Sequence, residues 1–187
     1  MADFLSSFNK LAPFTNEVAE DLQKNLQTKS FDKGELLLKS GSICRKLFFI
    51  DKGLVKTFFF NEDKEFIMRF FPEYTFFTVL DSFTNQTPSG YDIMALEKTS
   101  VTFILQTELE LLCKKHHSIK TAFRKLLSFA VTNMMKRISE MLEENATERY
   151  NHFLKDNGHL IQRVSLGDLA NYLGITQVSL SRIRANK

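Results

Sequence analysis

Two cysteines and four histidines in 187 residues leave little from which to build a metal centre or a disulfide framework. Cys44 and Cys113 stand far apart, form no CxxC and have no histidine at ligand spacing. Both read as buried thiols or bystanders, and neither a metal nor a cofactor is expected. Catalytic signatures are missing as well. HExxH, a glycine-rich phosphate loop and GxSxG are absent, and the few histidines lack carboxylate or thiol company, so an enzyme is not expected. The N-terminus has no basic flank followed by a long apolar core. No apolar run approaches the roughly 18 residues that span a bilayer, so a cytoplasmic protein without a membrane partner is expected.

What is present is ordinary in amount and uneven in placement. With 43% apolar and 25% charged residues the chain suits one large or two modest globular domains. The formal charge of +3 is not spread evenly: residues 1–144 hold 19 basic and 19 acidic side chains, whereas 145–187 hold 6 and 3. The whole excess is therefore C-terminal, and Arg182, Arg184 and Lys187 lie at its end, where cations could meet phosphates.

That end also has the clearest local pattern, SLGDLANYLGITQVSLSRIRA over 165–185. Leu166, Leu169, Ala170 and Leu173 recur at i, i+3, i+4 and i+7, which predicts a helix with one apolar face, and Ser165 with Asp168 predicts a capping box at its start. Gly174 ends it. Thr176 is suited to cap a second helix whose Leu180 and Ile183 point inward, leaving Gln177, Val178, Ser181, Arg182 and Arg184 outward. Each position of the Ala-x3-Gly-x5-Leu frame has a steric reason: Ala170 allows close approach, Gly174 allows a left-handed turn, and Leu180 fills the space between the helices. This is the spacing of a helix-turn-helix that reads double-stranded DNA, with an ordinary helical hairpin as the alternative.

The rest falls into three stretches. Residues 4–28 read as short helices, with Thr15 capping a segment that carries Val18, Leu22 and Leu26. From about 30 to 106, short aromatic and β-branched runs (ELLLK, KLFFI, LVKTFFF, EFIMRFF, VTFIL) alternate with turn signals at hairpin intervals, which predicts an antiparallel sandwich or barrel. From Glu108 the period is helical. Phe123, Leu127, Val131, Met134, Ile138 and Met141 form a 4-4-3-4-3 seam, and a helix over 118–144 would span about 40 Å. Part of that seam is expected to need a second chain, giving a homodimer, the alternative being a helix packed wholly on its own barrel. Asn145 and Ala146 interrupt the seam, and a further short helix runs from Glu148 to Leu154. The expected division is a sensor domain over 1–116, a dimerisation helix over 117–144 and a DNA-binding unit over 145–187.

This order resembles the cyclic-AMP receptor and fumarate-nitrate regulator (Crp/Fnr) family of bacterial transcription regulators over nearly the whole chain. The resemblance rests on Gly34, Gly41 and Gly53 about the FFIDKGLVKTF run, on PSGYDIMALEKTSVTFI, on ERYNHFL and, most specifically, on LANYLGITQVSLSRIRA. It implies an α+β fold: an N-terminal jelly-roll β-barrel like the cyclic-nucleotide-binding domain, a long dimerisation helix and a C-terminal helix-turn-helix. It also implies that Arg182 offers a fork to guanine, with Gln177 and Val178 at the two earlier reading positions. The DNA-contacting set is then Thr176, Gln177, Val178, Ser181, Arg182, Arg184 and Lys187. RNA polymerase is a further partner that the resemblance implies, through a surface the sequence does not mark. Many relatives continue past the recognition helix into a β-hairpin wing, whereas this sequence stops at Lys187.

Departures from the family pattern concern the sensor. Members that bind cyclic AMP hold its phosphate with an arginine followed by Ser or Thr, and its ribose with the glutamate of a Gly-Glu pair. Here the nearest equivalents are Ser89-Gly90, beside Tyr91, and Leu80-Asp81, and no arginine lies between Arg69 and Arg124. Cyclic-nucleotide binding is therefore not expected. The ligand-pocket candidates are Asp81, Ser89, Gly90 and Tyr91, for a different small ligand if any. The four-cysteine pattern of an iron-sulfur oxygen sensor is absent, and His116 and His117 read as solvated helix-start residues rather than haem ligands. The nineteen Phe read chiefly as core, although adjacent pairs must place some rings outside the barrel. A ligand-responsive module whose C-terminal hairpin contacts protein instead of DNA is the second functional reading.

Overall fold

The computed structural model describes residues 3–185. Two short helices, α1 (Phe4–Leu11) and α2 (Asn16–Lys24), precede strands β1 (Gln27–Phe31), β2 (Leu36–Leu38), β3 (Lys46–Lys52), β4 (Val55–Asn61), β5 (Lys64–Phe71) and β6 (Phe76–Phe77). Helix α3 (Leu80–Asn85) separates these from β7 (Asp92–Ala95) and β8 (Thr99–Leu105). Five helices follow: α4 (Gln106–Lys115), α5 (His117–Glu143), α6 (Ala146–Asn157), α7 (Leu166–Leu173) and α8 (Gln177–Ala185). None is long and apolar enough to cross a membrane.

The expected barrel is not closed. The strands form two antiparallel four-stranded sheets, in the orders β1-β8-β3-β6 and β2-β7-β4-β5, whose edges do not pair with each other. The turn signals explain why. Of those the sequence marks, Asn61-Glu62-Asp63 makes a hairpin, joining β4 to β5, whereas Lys33-Gly34 and Asp51-Lys52-Gly53 carry the chain from one sheet to the other. Gly53 has φ +105, and a Cβ there would lie 2.7 Å from Thr99 Cα, so only glycine allows this crossing.

Between the sheets the core is aromatic. Phe48 and Phe71 each stack on Phe77 at 5.0 Å between centroids, and Phe103 closes on Phe48 at 6.0 Å. Ile50, Val55, Ile93, Ala95 and Val101 fill the remainder. The rings on opposite strand faces build two further cores. Phe49 and Phe76 meet Phe4 and Phe8 of α1 beneath the start of α5, where Ile119 and Ala122 are fully buried. His116, expected to be solvated, is instead mostly buried, its Nε2 2.9 Å from Asp21 Oδ2. Hydrogen bonds from Lys115 and His116 hold the Asp21 carboxyl down to about 2.

The third core joins the sheet to the C-terminal helices. Leu54, Phe58, Ile67 and Phe70 meet Tyr150, Phe153, Leu160, Val164, Leu169, Ala170 and Leu173. A bulge makes this possible: Thr57 pairs with Arg69 and Phe58 with Ile67, so Met68 is the extra residue. Strict alternation would put Ile67 and Phe70 on opposite faces, and the added residue brings both to the outer one. Tyr172 packs on Phe70 and Phe153 at 5.3 and 5.4 Å, and Arg137 of α5 lies 4.1 Å over its ring.

An ionic clamp borders this core. Arg163 bonds both oxygens of Glu73 at 2.9 and 2.8 Å and reaches Glu97 at 2.7 Å. Burial pushes Glu73 up, but Arg163 and the Gly53 N–H outweigh it and bring the carboxyl down to about 2. A depressed carboxylate stabilises the fold above its unfolded value and loses that contribution as pH falls through the folded one. The urea midpoint of the wild type is therefore expected to fall between pH 4.5 and about 2 more steeply than that of Glu73→Gln. Parallel curves would remove Glu73 from the acid response.

Candidate nucleic-acid interface

The C-terminal pair is built on its predicted frame. Ser165 caps α7 by accepting the Asp168 N–H at 2.9 Å. The reciprocal half of the capping box does not form, because the Asp168 carboxylate accepts from the Ser165 hydroxyl at 2.7 Å and from Lys56. Gly174 ends α7 with φ +70, its N–H bonding back to Ala170 and Asn171, and the Ile175 N–H reaches Ala170 O at 3.0 Å. Thr176 Oγ1 then accepts the Ser179 N–H at 3.1 Å, opening α8. Ala170 and Leu180 are buried where the helices cross, and Ile183 is partly buried beside them.

The outward set is exposed along one side of α8: Thr176, Gln177, Val178, Ser181, Arg182 and Arg184. Val178 is 61% exposed, an unusual position for a branched aliphatic side chain on an otherwise polar face. Gln177 lies over Gly167, where a Cβ would come within 3.0 Å of its Nε2. Arg182 and Arg184 make no ion pair with other described residues, which leaves both guanidinium forks available. Lys187 lies outside the described residues.

The sensor candidates are not assembled into a site. Ser89 is buried, and its hydroxyl donates to Tyr91 O at 2.8 Å and accepts the Tyr91 N–H at 2.9 Å. Its backbone is bound to Gly41 and Ser42. The loop thus folds onto its own chain, and Ser89 presents no free group. Gly90 is exposed, Tyr91 stands edge-on to Phe59 at 5.8 Å, and Asp81 is exposed on α3 with no hydrogen bond to the other three. The inter-sheet space is filled by the Phe48, Phe71, Phe77 and Phe103 rings. A cavity of about 660 Å³ lies elsewhere, between α3, α4 and the start of α5. A cyclic nucleotide does not fit these residues, because its phosphate would meet neither a guanidinium nor a free hydroxyl.

The sequence reading missed one group altogether. Lys56 of β4 is buried, with its Nζ 2.9 Å from both Glu65 oxygens and 2.7 Å from Asp168 of α7. Asn171 of α7 adds a bond to Glu65 at 3.2 Å. A lysine inside a run of apolar strand residues was the available signal, but its partner lies 112 residues away.

Residues 28–116 match the model of the cyclic nucleotide-binding domain. The chain is 28% identical to the fumarate and nitrate reduction regulatory protein of Yersinia pestis, over 91% of this chain and 74% of that one. Among solved structures, FixK2 from Bradyrhizobium japonicum superposes with a TM-score of 0.77 at 16% identity, covering 86% of this chain and 83% of its own. A proposed transcriptional regulator of the crp/fnr family from Eubacterium rectale gives 0.70 at 15% identity, covering 91% and 82%. The two-sheet domain, the long helix and the paired-helix C-terminus are the architecture these solved regulators share with the chain. The chain thus carries a match to the cyclic nucleotide-binding domain and shares the fold of these Crp/Fnr-type regulators.

Proposed function

We propose that this protein is a homodimeric DNA-binding regulator in which α7 and α8 form the helix-turn-helix and α8 enters the major groove. The observation that carries the reading is the division of α8: Leu180 is fully buried, while the polar first turn is exposed and Arg182 and Arg184 face outward with no ion pair among the described residues. Arg182 reads guanine through O6 and N7, Gln177 reads adenine and Val178 meets a thymine methyl. Arg182→Ala is expected to cost about 1–3 kcal/mol on a selected operator and to relax preference at one base pair per half-site. Equal loss on specific and random DNA would remove Arg182 from base reading. A C-terminal pair that binds protein instead would show no steep salt dependence on DNA.

Dimerisation through α5 is supported by its exposed side. Phe123 packs against Phe83 on its own domain, but Val131, Met134, Ile138 and Met141 are 40–51% exposed and continue the same stripe. Met135 and Leu142 widen it. Two such helices would bury this stripe against each other and hold two copies of α8 about 34 Å apart, one turn of DNA, so that the operator is pseudo-palindromic. The double variant Val131→Asp with Met134→Asp is expected to fold and to sediment as a monomer, since neither side chain enters its own core. Sedimentation at the wild-type dimer mass would contradict this interface.

The sensor domain on this reading is not a cyclic-nucleotide receptor. Calorimetric titration with cyclic AMP and cyclic GMP is expected to give no binding tighter than millimolar, because a partly desolvated phosphate without its charged partner forfeits several kcal/mol. A dissociation constant below about 10 μM would show that another group has taken over the phosphate.

A further inference from the structure

Lys56 is buried where an apolar side chain would do. It shares the outer face of β4 with Phe58, and its ammonium lies 4.7 Å over that ring, within a core otherwise made of aliphatic and aromatic side chains. Its three carboxylate contacts divide between the two bodies: both Glu65 oxygens belong to the sheet, and Asp168 Oδ1 belongs to the first turn of α7. The side chains of Lys56, Glu65 and Asp168 are 7, 18 and 16% exposed. Such a group adds little stability over a hydrocarbon of equal volume, because desolvation offsets most of the Coulomb gain. It differs from hydrocarbon in geometry. An apolar seat tolerates sliding and rotation, whereas an ammonium held by fixed oxygens, with Asn171 bonded to the same Glu65, accepts one placement of α7. Because α8 is locked to α7 through Ala170 and Leu180, placing α7 places the helix that carries Arg182.

We propose that Lys56 is a positioning residue for DNA recognition: through Asp168 it fixes how the α7–α8 pair sits on the sheet, and so the separation and phase of the two α8 helices in the dimer. This rests on the DNA-reading proposal above. Lys56 is buried beneath α7, outside the reading face, so its effect falls on half-site spacing rather than on base preference. If each freed pair is correctly placed about a third of the time, both are placed together about a tenth of the time, and operator affinity falls about tenfold.

The test uses the full-length dimer and a selected operator, with versions in which one base pair is added or removed between half-sites, turning them by about 35°. Lys56→Met is expected to weaken the native operator about tenfold and to discriminate less among spacings, with unchanged preference within each half-site. That variant leaves two carboxylates facing each other, so a neutral one, Lys56→Met with Glu65→Gln and Asp168→Asn, is measured beside it. The neutral variant is expected to melt close to wild type and still to accept altered spacings. If it keeps wild-type affinity and wild-type spacing discrimination, the apolar seat alone orients α7 and the proposal is wrong. If the wild type itself binds DNA without sequence preference, the DNA-reading proposal falls and this one with it. The first result, with wild-type operator binding intact, overturns this proposal alone.

Discussion

The outer face of the β4–β5 hairpin is the constraint on which the rest of the molecule depends. Leu54, Phe58, Ile67 and Phe70 leave the inter-sheet core and face outward, where a sheet of a free-standing two-sheet domain would be polar. Burying four such side chains is worth several kcal/mol, and leaving them wet would create an adhesive patch. The C-terminal helices cover them. The two-sheet domain and the paired helices therefore share one core, and the Met68 bulge is the local feature that aims Ile67 and Phe70 together at it.

The inter-sheet space is occupied by stacked rings, and Ser89 has both hydrogen-bonding functions engaged by Tyr91, so the interior offers little room for a polar effector. The sheet that carries α7 holds it by charged contacts as well as by apolar ones. Two charged groups make these contacts, Arg163 gripping Glu73 and Glu97 at one border and Lys56 gripping Glu65 and Asp168 at the other. Both join residues far apart in sequence, and both are well enough shielded that salt screens them less than surface pairs.

Local features of this fold were legible in the sequence, and long-range pairings were not. The caps at Thr15 and Thr176, the left-handed Gly174, the burial of Ala170 and Leu180 and the long helix all follow from side-chain size, backbone freedom and period. The apolar runs that became β2, β3, β4, β5 and β8 were plain, but β1, β6 and β7, which have no such run, were not, and neither were the pairings: turns that look like hairpins in sequence pass between sheets. His116 looked solvated because nothing near it in sequence announces Asp21, 95 residues away. The exposed face of α8 was readable residue by residue. Lys56 was not, because a lysine in a strand is ordinarily a surface residue and only the packed α7 makes it a buried one.

The central claim is that the α7–α8 pair reads DNA as two copies on one duplex. Selection of bound sites from random-sequence DNA by the full chain, repeated at two stated salt concentrations, tests it most directly. The account predicts a pseudo-palindrome with half-site centres about 10 base pairs apart and affinity that falls steeply with salt. Recovery of no common sequence, or of single unpaired half-sites with little salt dependence, would contradict it.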